Sequence, residues 1–107
     1  MSDFPPLPDN IGKKSSLRDR DDHLVRFTIV DEVKKTLSSY SGMALYLQKI
    51  QYEADGSTEI RFGYYIIGNK DKKMAGKWVW GQYAPIIPAE DFAQIVRLAQ
   101  AKGWFTI

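Results

Sequence analysis

The 107-residue sequence contains no cysteine and only one histidine, His23. Without thiols the chain forms neither a disulfide nor a thiolate metal site, and this composition is typical of a reducing compartment. A single histidine leaves only carboxylate-based metal sites, and the acidic residues lack the spacing of a calcium-binding loop. We therefore expect no metal, no other cofactor and a cytoplasmic location.

Motifs of catalysis and of membrane insertion are also missing. The sequence has no nucleophile-elbow pattern, no glycine-rich phosphate loop and no run of about 18 apolar residues. Glu90 and Asp91 are adjacent on a predicted helix, where they favour the positive end of the helix dipole and do not form an acid–base pair. The first residues show no export signal. These absences predict a non-enzymatic protein with no catalytic residues and no membrane partner.

Residues 1–22 are rich in proline, serine and charge and poor in apolar residues, as expected of a flexible tail. We therefore predict two parts, this tail and a single domain over residues 23–107. Within the tail, the sequence PPLP favours polyproline II and is the type of segment that docks in an aromatic groove of another protein. A flexible leader is the simpler interpretation.

Four segments show the two-residue period of strands. The first begins near His23, and its stretch over residues 31–40 also fits a helix, so both alternatives stay open there. The Asp-Gly pair in ADGST joins MALYLQKIQYE to EIRFGYYIIG, which predicts a hairpin. A polar connection, NKDKKMAGK, then leads to the last strand, KWVWGQY. Connections of this kind predict an antiparallel meander.

A helix is predicted from Pro88 to Lys102, with Gly103 as its stop. Its apolar residues recur at intervals of three and four positions, as in an amphipathic helix: Phe92, Ile95, Val96 and Ala99. The predicted fold class is therefore α+β, a four-stranded antiparallel β-meander packed on one C-terminal α-helix, after a disordered N-terminal tail.

Trp78 and Trp80 share one side of the last strand. We expect both indoles to be core, held between the sheet and the C-terminal helix, because burying such large rings strongly favours folding. A ligand platform is the alternative interpretation. The same side of the sheet is predicted to carry Ile60, Phe62, Tyr64 and Ile66, and the opposite side is predicted to be open and to carry Lys49, Arg61, Tyr65, Lys77 and Tyr83.

Positive charge is concentrated in residues 60–78, which carry five basic groups and one acidic group, although the net charge of the chain is only +2. Lysines interleaved with aromatic side chains suit single-stranded nucleic acid, since ammonium groups contact phosphates and rings stack on bases. A solvated lysine-rich turn is the simpler interpretation. The predicted nucleic-acid-binding residues are Lys49, Arg61, Tyr65, Lys70, Lys72, Lys73, Lys77 and Tyr83.

The leading prediction is a small binding module for nucleic acid, preferably single-stranded, or a regulatory module. A sheet followed by a helix resembles the layout of whirly-type single-strand binders, but only in topology, and topology does not define function. The alternative is a protein-interaction module, either a homodimer, an adaptor or an inhibitor. It would use Leu45, Leu47 and an exposed sheet edge.

Overall fold

The computed structural model of the protein describes residues 4–68 and 75–106 and shows a five-stranded antiparallel sheet with one C-terminal helix. The strands are neighbours in the order of the chain, so the sheet is a meander. The predicted α+β class, antiparallel sheet and C-terminal helix are confirmed. The elements are β1 (Lys14–Arg18), β2 (Leu24–Thr36), β3 (Met43–Tyr52), β4 (Thr58–Ile67), β5 (Trp78–Trp80) and α1 (Ala89–Ala101).

The additional strand is β1, which pairs with the first half of β2. The prediction of four strands is wrong by one, because β1 has a polar sequence that was assigned by composition to the tail. Ladder hydrogen bonds join backbone groups and need no particular side chain, so composition is a poor guide to such an edge strand. Gly12, just before β1, has a φ of 89°. Its N–H donates to the carbonyl of Ile29 at 2.7 Å.

Strand β2 covers residues 31 to 36, so the strand interpretation of this stretch is confirmed there. A β-bulge at Val30 interrupts its pairing with β3. A bulge moves the side chains that follow it to the opposite face of the sheet. Phe27 and Ile29 therefore belong to a cluster on one face, whereas Val33 belongs to the cluster beneath α1 on the other.

The hairpin predicted at the Asp-Gly turn is confirmed, since β3 and β4 pair along nearly their whole length. Gly56 has a φ of 72°, a conformation that glycine adopts without the strain of a Cβ. The carboxylate of Asp55 accepts hydrogen bonds from the backbone N–H of Ser57 at 3.0 Å and from its hydroxyl at 2.7 Å. These turn contacts help to set the register of β3 against β4.

Helix α1 is confirmed, with Pro88 and Lys102 as its flanking caps. Gly103 follows at a φ of 79°, and the N–H of Trp104 donates to the carbonyl of Ala99 at 3.3 Å, as in a helix ending of the Schellman type. The buried side of α1 packs on β2 and β3. The core beneath the helix consists of Val33, Leu37, Leu45, Leu47, Tyr64, Ile95 and Ala99.

The register of β5 places both tryptophans of this strand on the face opposite α1. Trp78 pairs with Ile67, and Trp80 pairs with Tyr65. Tyr64 belongs to the core beneath α1, so its neighbour Tyr65 lies on the other face. The prediction that the helix covers both indoles is therefore wrong. The sequence predicts the alternation of side chains within each strand. It does not predict which side of β5 shares a sheet face with which side of β4, because a long connection joins the two strands.

We call the sheet face beneath α1 the helix side. The opposite face is the aromatic face, which carries Tyr46, Tyr65, Trp78 and Trp80. Among the described residues, no helix has the length and apolar character needed to cross a membrane.

Candidate nucleic-acid interface

The structure separates the predicted binding residues that it describes. Arg61 and Tyr65 lie on the aromatic face, whereas Lys49 lies on the helix side. Lys77 and Tyr83 flank β5 and are exposed. The prediction that Lys49 shares a face with Arg61 is wrong. The remaining predicted residues fall outside the described part of the chain: Lys70, Lys72 and Lys73.

The position of Lys49 follows from the alternation of β3. Leu45 and Leu47, on the same side of the strand, are buried beneath α1. These two leucines therefore do not form the exposed apolar surface that the protein-interaction alternative needs. Lys49 instead borders a shallow cleft of about 290 Å³ that is also lined by Ile60 and Trp104.

Arg61 places a half-buried guanidinium on the aromatic face. Its central carbon lies 4.6 Å from the centroid of the Trp80 ring and 5.4 Å from that of Phe27. Its Nε donates to Oε1 of Gln48 at 3.0 Å. In residues 4–68 and 75–106, no carboxylate forms an ion pair with it. Burial lowers the pKa of Arg61, but a guanidinium stays protonated in proteins, so the positive charge persists.

A buried polar chain orients Arg61 and includes the carboxylate of Glu32. Gln48 is fully buried and donates through Nε2 to Oε1 of Glu32 at 3.0 Å. The other carboxylate oxygen of Glu32 accepts from the backbone N–H of Asn10 at 2.8 Å and lies 3.9 Å from the Lys34 ammonium. Because Lys34 balances the charge of Glu32, the charge of Arg61 is left for another anion.

The aromatic rings next to Trp80 contact one another edge to face. The ring centroids of Tyr46 and Tyr65 are 4.8 Å apart, and those of Tyr65 and Trp80 are 5.0 Å apart. A Cβ at Gly63 would collide with the Trp80 indole, so this glycine provides the space that the indole occupies. Burial, reinforced by the charge of Glu32, raises the pKa of Tyr46, so its hydroxyl remains a proton donor at neutral pH.

Residues 4–10, which we call the N-terminal segment, lie across the aromatic face. Nε1 of Trp78 donates to the carbonyl of Pro5 at 2.8 Å. The hydroxyl of Tyr46 donates to the carbonyl of Pro8 at 2.6 Å. Two backbone carbonyls of the segment therefore accept hydrogen bonds from side chains of the sheet.

No protein-family model, curated protein or solved structure matches this chain. The contacts of the aromatic face are therefore the basis on which a function can be inferred.

Several parts of the aromatic face were not predicted from the sequence. Trp78 and Trp80 could be assigned only with the register of β5, because periodicity leaves their face undetermined. Gln48 gives no signal in the sequence, since a single glutamine within a strand is ordinary. The PPLP sequence was an available signal for the N-terminal segment, because proline-rich segments dock on aromatic surfaces.

The turn between β1 and β2 brings Asp19, Asp21 and His23 together at the surface. One carboxylate oxygen of Asp19 accepts from the backbone N–H groups of the other two residues, each at 2.9 Å. His23 is exposed, as expected of a solvated histidine. Turn formation accounts for this arrangement.

The helix side of β4 is only partly covered, because α1 lies over β2 and β3. Ile60, Phe62 and Ile66 lie on this side, as predicted, and remain 37–44% exposed. Phe92 of α1 contacts Phe62, with ring centroids 6.0 Å apart. We call these four side chains the apolar strip.

Proposed function

We propose that this protein is a small non-enzymatic binding module that takes single-stranded nucleic acid on its aromatic face. The observation that carries the proposal is the guanidinium of Arg61, half-buried over the Trp80 ring and without a carboxylate partner in the described chain. A cation that has lost part of its hydration gains more from an anionic ligand than a fully solvated one does. A phosphate group supplies that anion.

Rings of the aromatic face supply the second requirement, surfaces on which bases can stack. Tyr65, Trp78 and Trp80 are half-buried, so part of each side chain remains accessible. Stacking of a base on an aromatic ring contributes about 1–3 kcal/mol and tolerates any base. Single strands offer free base faces together with phosphates, whereas the bases of a duplex are stacked on one another. This difference favours a single-stranded ligand.

A basic residue lies next to β5. Lys77 is exposed and directly precedes Trp78. Ammonium groups contact phosphates without reading the sequence, and salt screens these contacts. We therefore expect weak base preference and strong salt dependence. The connection that precedes Lys77 also contains three lysines that fall outside the described residues: Lys70, Lys72 and Lys73.

Fluorescence anisotropy with a labelled oligothymidine tests the proposal. Arg61→Gln removes the guanidinium charge, and we expect it to weaken binding about tenfold, the effect of losing a charge-assisted contact. Arg97→Gln is the matched control, because Arg97 is an exposed residue of α1 that lies 3.9 Å from the Glu90 carboxylate. We expect the control to change affinity less than about twofold.

Salt provides a second readout in the same assay. Between about 50 mM and about 200 mM salt, the affinity of the unmodified chain should fall steeply, because phosphate contacts release counterions. Arg61→Gln should lower the slope of log affinity against log salt by about 0.7, the value for one phosphate of a single strand. No binding at low salt, or equal losses in the two arginine variants with unchanged thermal unfolding, would remove the proposal.

The apolar strip favours a second candidate, the protein-interaction function. Its occupant in this hypothesis is a second copy of the chain, because identical apolar strips match one another across a twofold axis. For the alternative of sheet extension, the described sheet ends in β1 and β5, and short edge strands of this kind oppose such pairing. Sedimentation velocity should then detect a dimer that Phe62→Glu converts to a monomer. A monomer at every concentration would reject this candidate.

A further inference from the structure

The N-terminal segment presents two backbone acceptors to the aromatic face, and they are three residues apart in the chain. The carbonyl of Pro5 receives the indole N–H of Trp78, and the carbonyl of Pro8 receives the hydroxyl of Tyr46. The ammonium of Lys34 donates to the same Pro8 carbonyl at 3.1 Å. None of these contacts uses a backbone N–H of the segment, which suits a proline-rich sequence.

The spacing of these acceptors agrees with the conformation that prolines impose. Proline fixes φ near −65° and restricts the residue before it to extended conformations, so residues 5–8 favour polyproline II. That helix has about three residues per turn, so the carbonyls of residues 5 and 8 point to the same side. An aromatic surface with indole and hydroxyl donors is the usual partner of such a segment.

Two further contacts anchor the ends of the segment. The ring of Phe4 lies edge-on to that of Trp78, with centroids 5.9 Å apart. At the other end, Asn10 is buried and donates to both carboxylate oxygens of Glu32, through its backbone N–H at 2.8 Å and its side-chain amide at 3.3 Å. The aromatic residue before the prolines and the amide after them therefore add to the proline contacts.

We propose that the aromatic face is a recognition groove for proline-rich segments that begin with an aromatic residue, of the form aromatic-Pro-Pro-X-Pro. Residues 4–8 are its ligand within the same chain, and a segment of the same chemistry on another chain can take their place. This inference does not rest on nucleic-acid binding, since its contacts are to Trp78, Tyr46 and Lys34 and not to Arg61.

A tethered ligand competes strongly with a free one. A segment joined by a short linker acts at an effective concentration in the millimolar range, so the intact chain should bind an added segment weakly. Weakening the tethered segment should therefore increase binding of the free one. That relation distinguishes a recognition groove from a surface that is merely covered during folding.

The experiment is an anisotropy titration of the full chain with a labelled peptide of residues 1–11. Pro5→Gly with Pro8→Gly in the chain frees the tethered segment but keeps its carbonyls, and we expect this variant to bind the peptide at least about tenfold more tightly than the unmodified chain. A peptide with glycines in place of its prolines should lose most of this affinity. Phe4→Ala in the chain, which removes only the ring beside Trp78, should give a smaller gain in the same direction.

Removing a single donor from the groove locates the bound peptide. Added to the glycine-substituted chain, Tyr46→Phe should weaken peptide binding about fivefold, because it deletes the hydroxyl that reaches Pro8. Tyr40→Phe is the matched control, since Tyr40 is 50% exposed, and it should leave peptide affinity unchanged. The proposal is overturned if neither loosened chain binds the peptide more tightly than the unmodified chain, if the glycine peptide binds equally well, or if both tyrosine variants behave alike.

Discussion

The two faces of the sheet are covered by elements of different kinds. On the helix side, Ile95 and Ala99 of α1 are fully buried in a mainly apolar core. On the aromatic face, the N-terminal segment is extended and is held through its carbonyls by Trp78 and Tyr46. Helix α1 forms its backbone hydrogen bonds internally, whereas the N-terminal segment forms its hydrogen bonds with the sheet.

This difference assigns separate roles to the two faces. Apolar burial is non-directional and scales with area, so we expect the core beneath α1 to contribute strongly to folding stability. Hydrogen bonds are directional and nearly balanced by those to water, so a segment held by a few of them can leave at modest cost. We therefore expect the fold to depend on the helix side and ligand choice to depend on the aromatic face. Nucleic acid and a proline-rich segment should exclude each other where both need Trp78.

The largest expected effect is on the helix side. Ile95→Ala removes a fully buried side chain, and we expect it to lower the free energy of unfolding by about 3 kcal/mol through lost burial and the cavity it leaves. Leu98→Ala, one turn away and 43% exposed, should change it by less than about 1 kcal/mol. Urea unfolding measures both values. Equal losses would contradict the role given to this face.

An intermediate effect is expected where the aromatic face is tightly packed. Gly63→Ala places a Cβ against the Trp80 indole, and we expect a loss of about 1–3 kcal/mol from overpacking. In a chain that already carries Trp80→Phe, the same change should cost less, because phenylalanine lacks the indole atoms that the Cβ would meet. A double-mutant cycle in urea gives the coupling. Additive effects would show that Gly63 does not accommodate the indole.

The smallest effect concerns Asp31, which joins β2 to the end of α1. Desolvation alone would raise the pKa of Asp31, but hydrogen bonds from Lys102 at 2.9 Å and Trp104 at 3.2 Å outweigh it, and the net pKa is lowered. A lowered pKa stabilises the fold at neutral pH, and this contribution disappears as the carboxylate is protonated. Since both partners are partly exposed, Asp31→Asn should cost only about 0.5–1 kcal/mol at pH 7.

The pH dependence of this loss of stability tests whether it comes from the charge of Asp31. As the pH falls below about 4, the difference between the unmodified chain and Asp31→Asn should shrink towards zero. A difference for Asp31→Asn that stays constant down to low pH would contradict the ion pair with Lys102.

Much of the fold was predictable because its signals are local. The Asp55–Gly56 pair predicts the β3–β4 hairpin, and the glycine at 103 predicts the end of α1. Both depend on the conformations that individual residues allow, so no distant contact is needed. The polar strand β1 was not predictable in this way, because its partner in the ladder lies in β2.

The candidate site was predicted only in part. Arg61 and Tyr65 lie together on the aromatic face, in agreement with strand alternation. Lys49 does not join them, because its strand pairs so that Lys49 faces the helix side. Trp80, which contacts Arg61 most closely among the aromatic rings, was assigned to the wrong face. The sequence shows which residues of one strand share a face. It does not show which faces of different strands lie on the same side of the sheet.

Local sequence was enough to predict the β3–β4 hairpin turn, the extent of α1 and the alternation within each strand. These features follow from interactions between residues a few positions apart. Only the folded chain shows the bulge at Val30, the face on which Trp78 and Trp80 lie, and the position of the N-terminal segment. Each of these depends on contacts between distant residues, such as Pro5 and Trp78, whose energies appear only when the chain has brought them together.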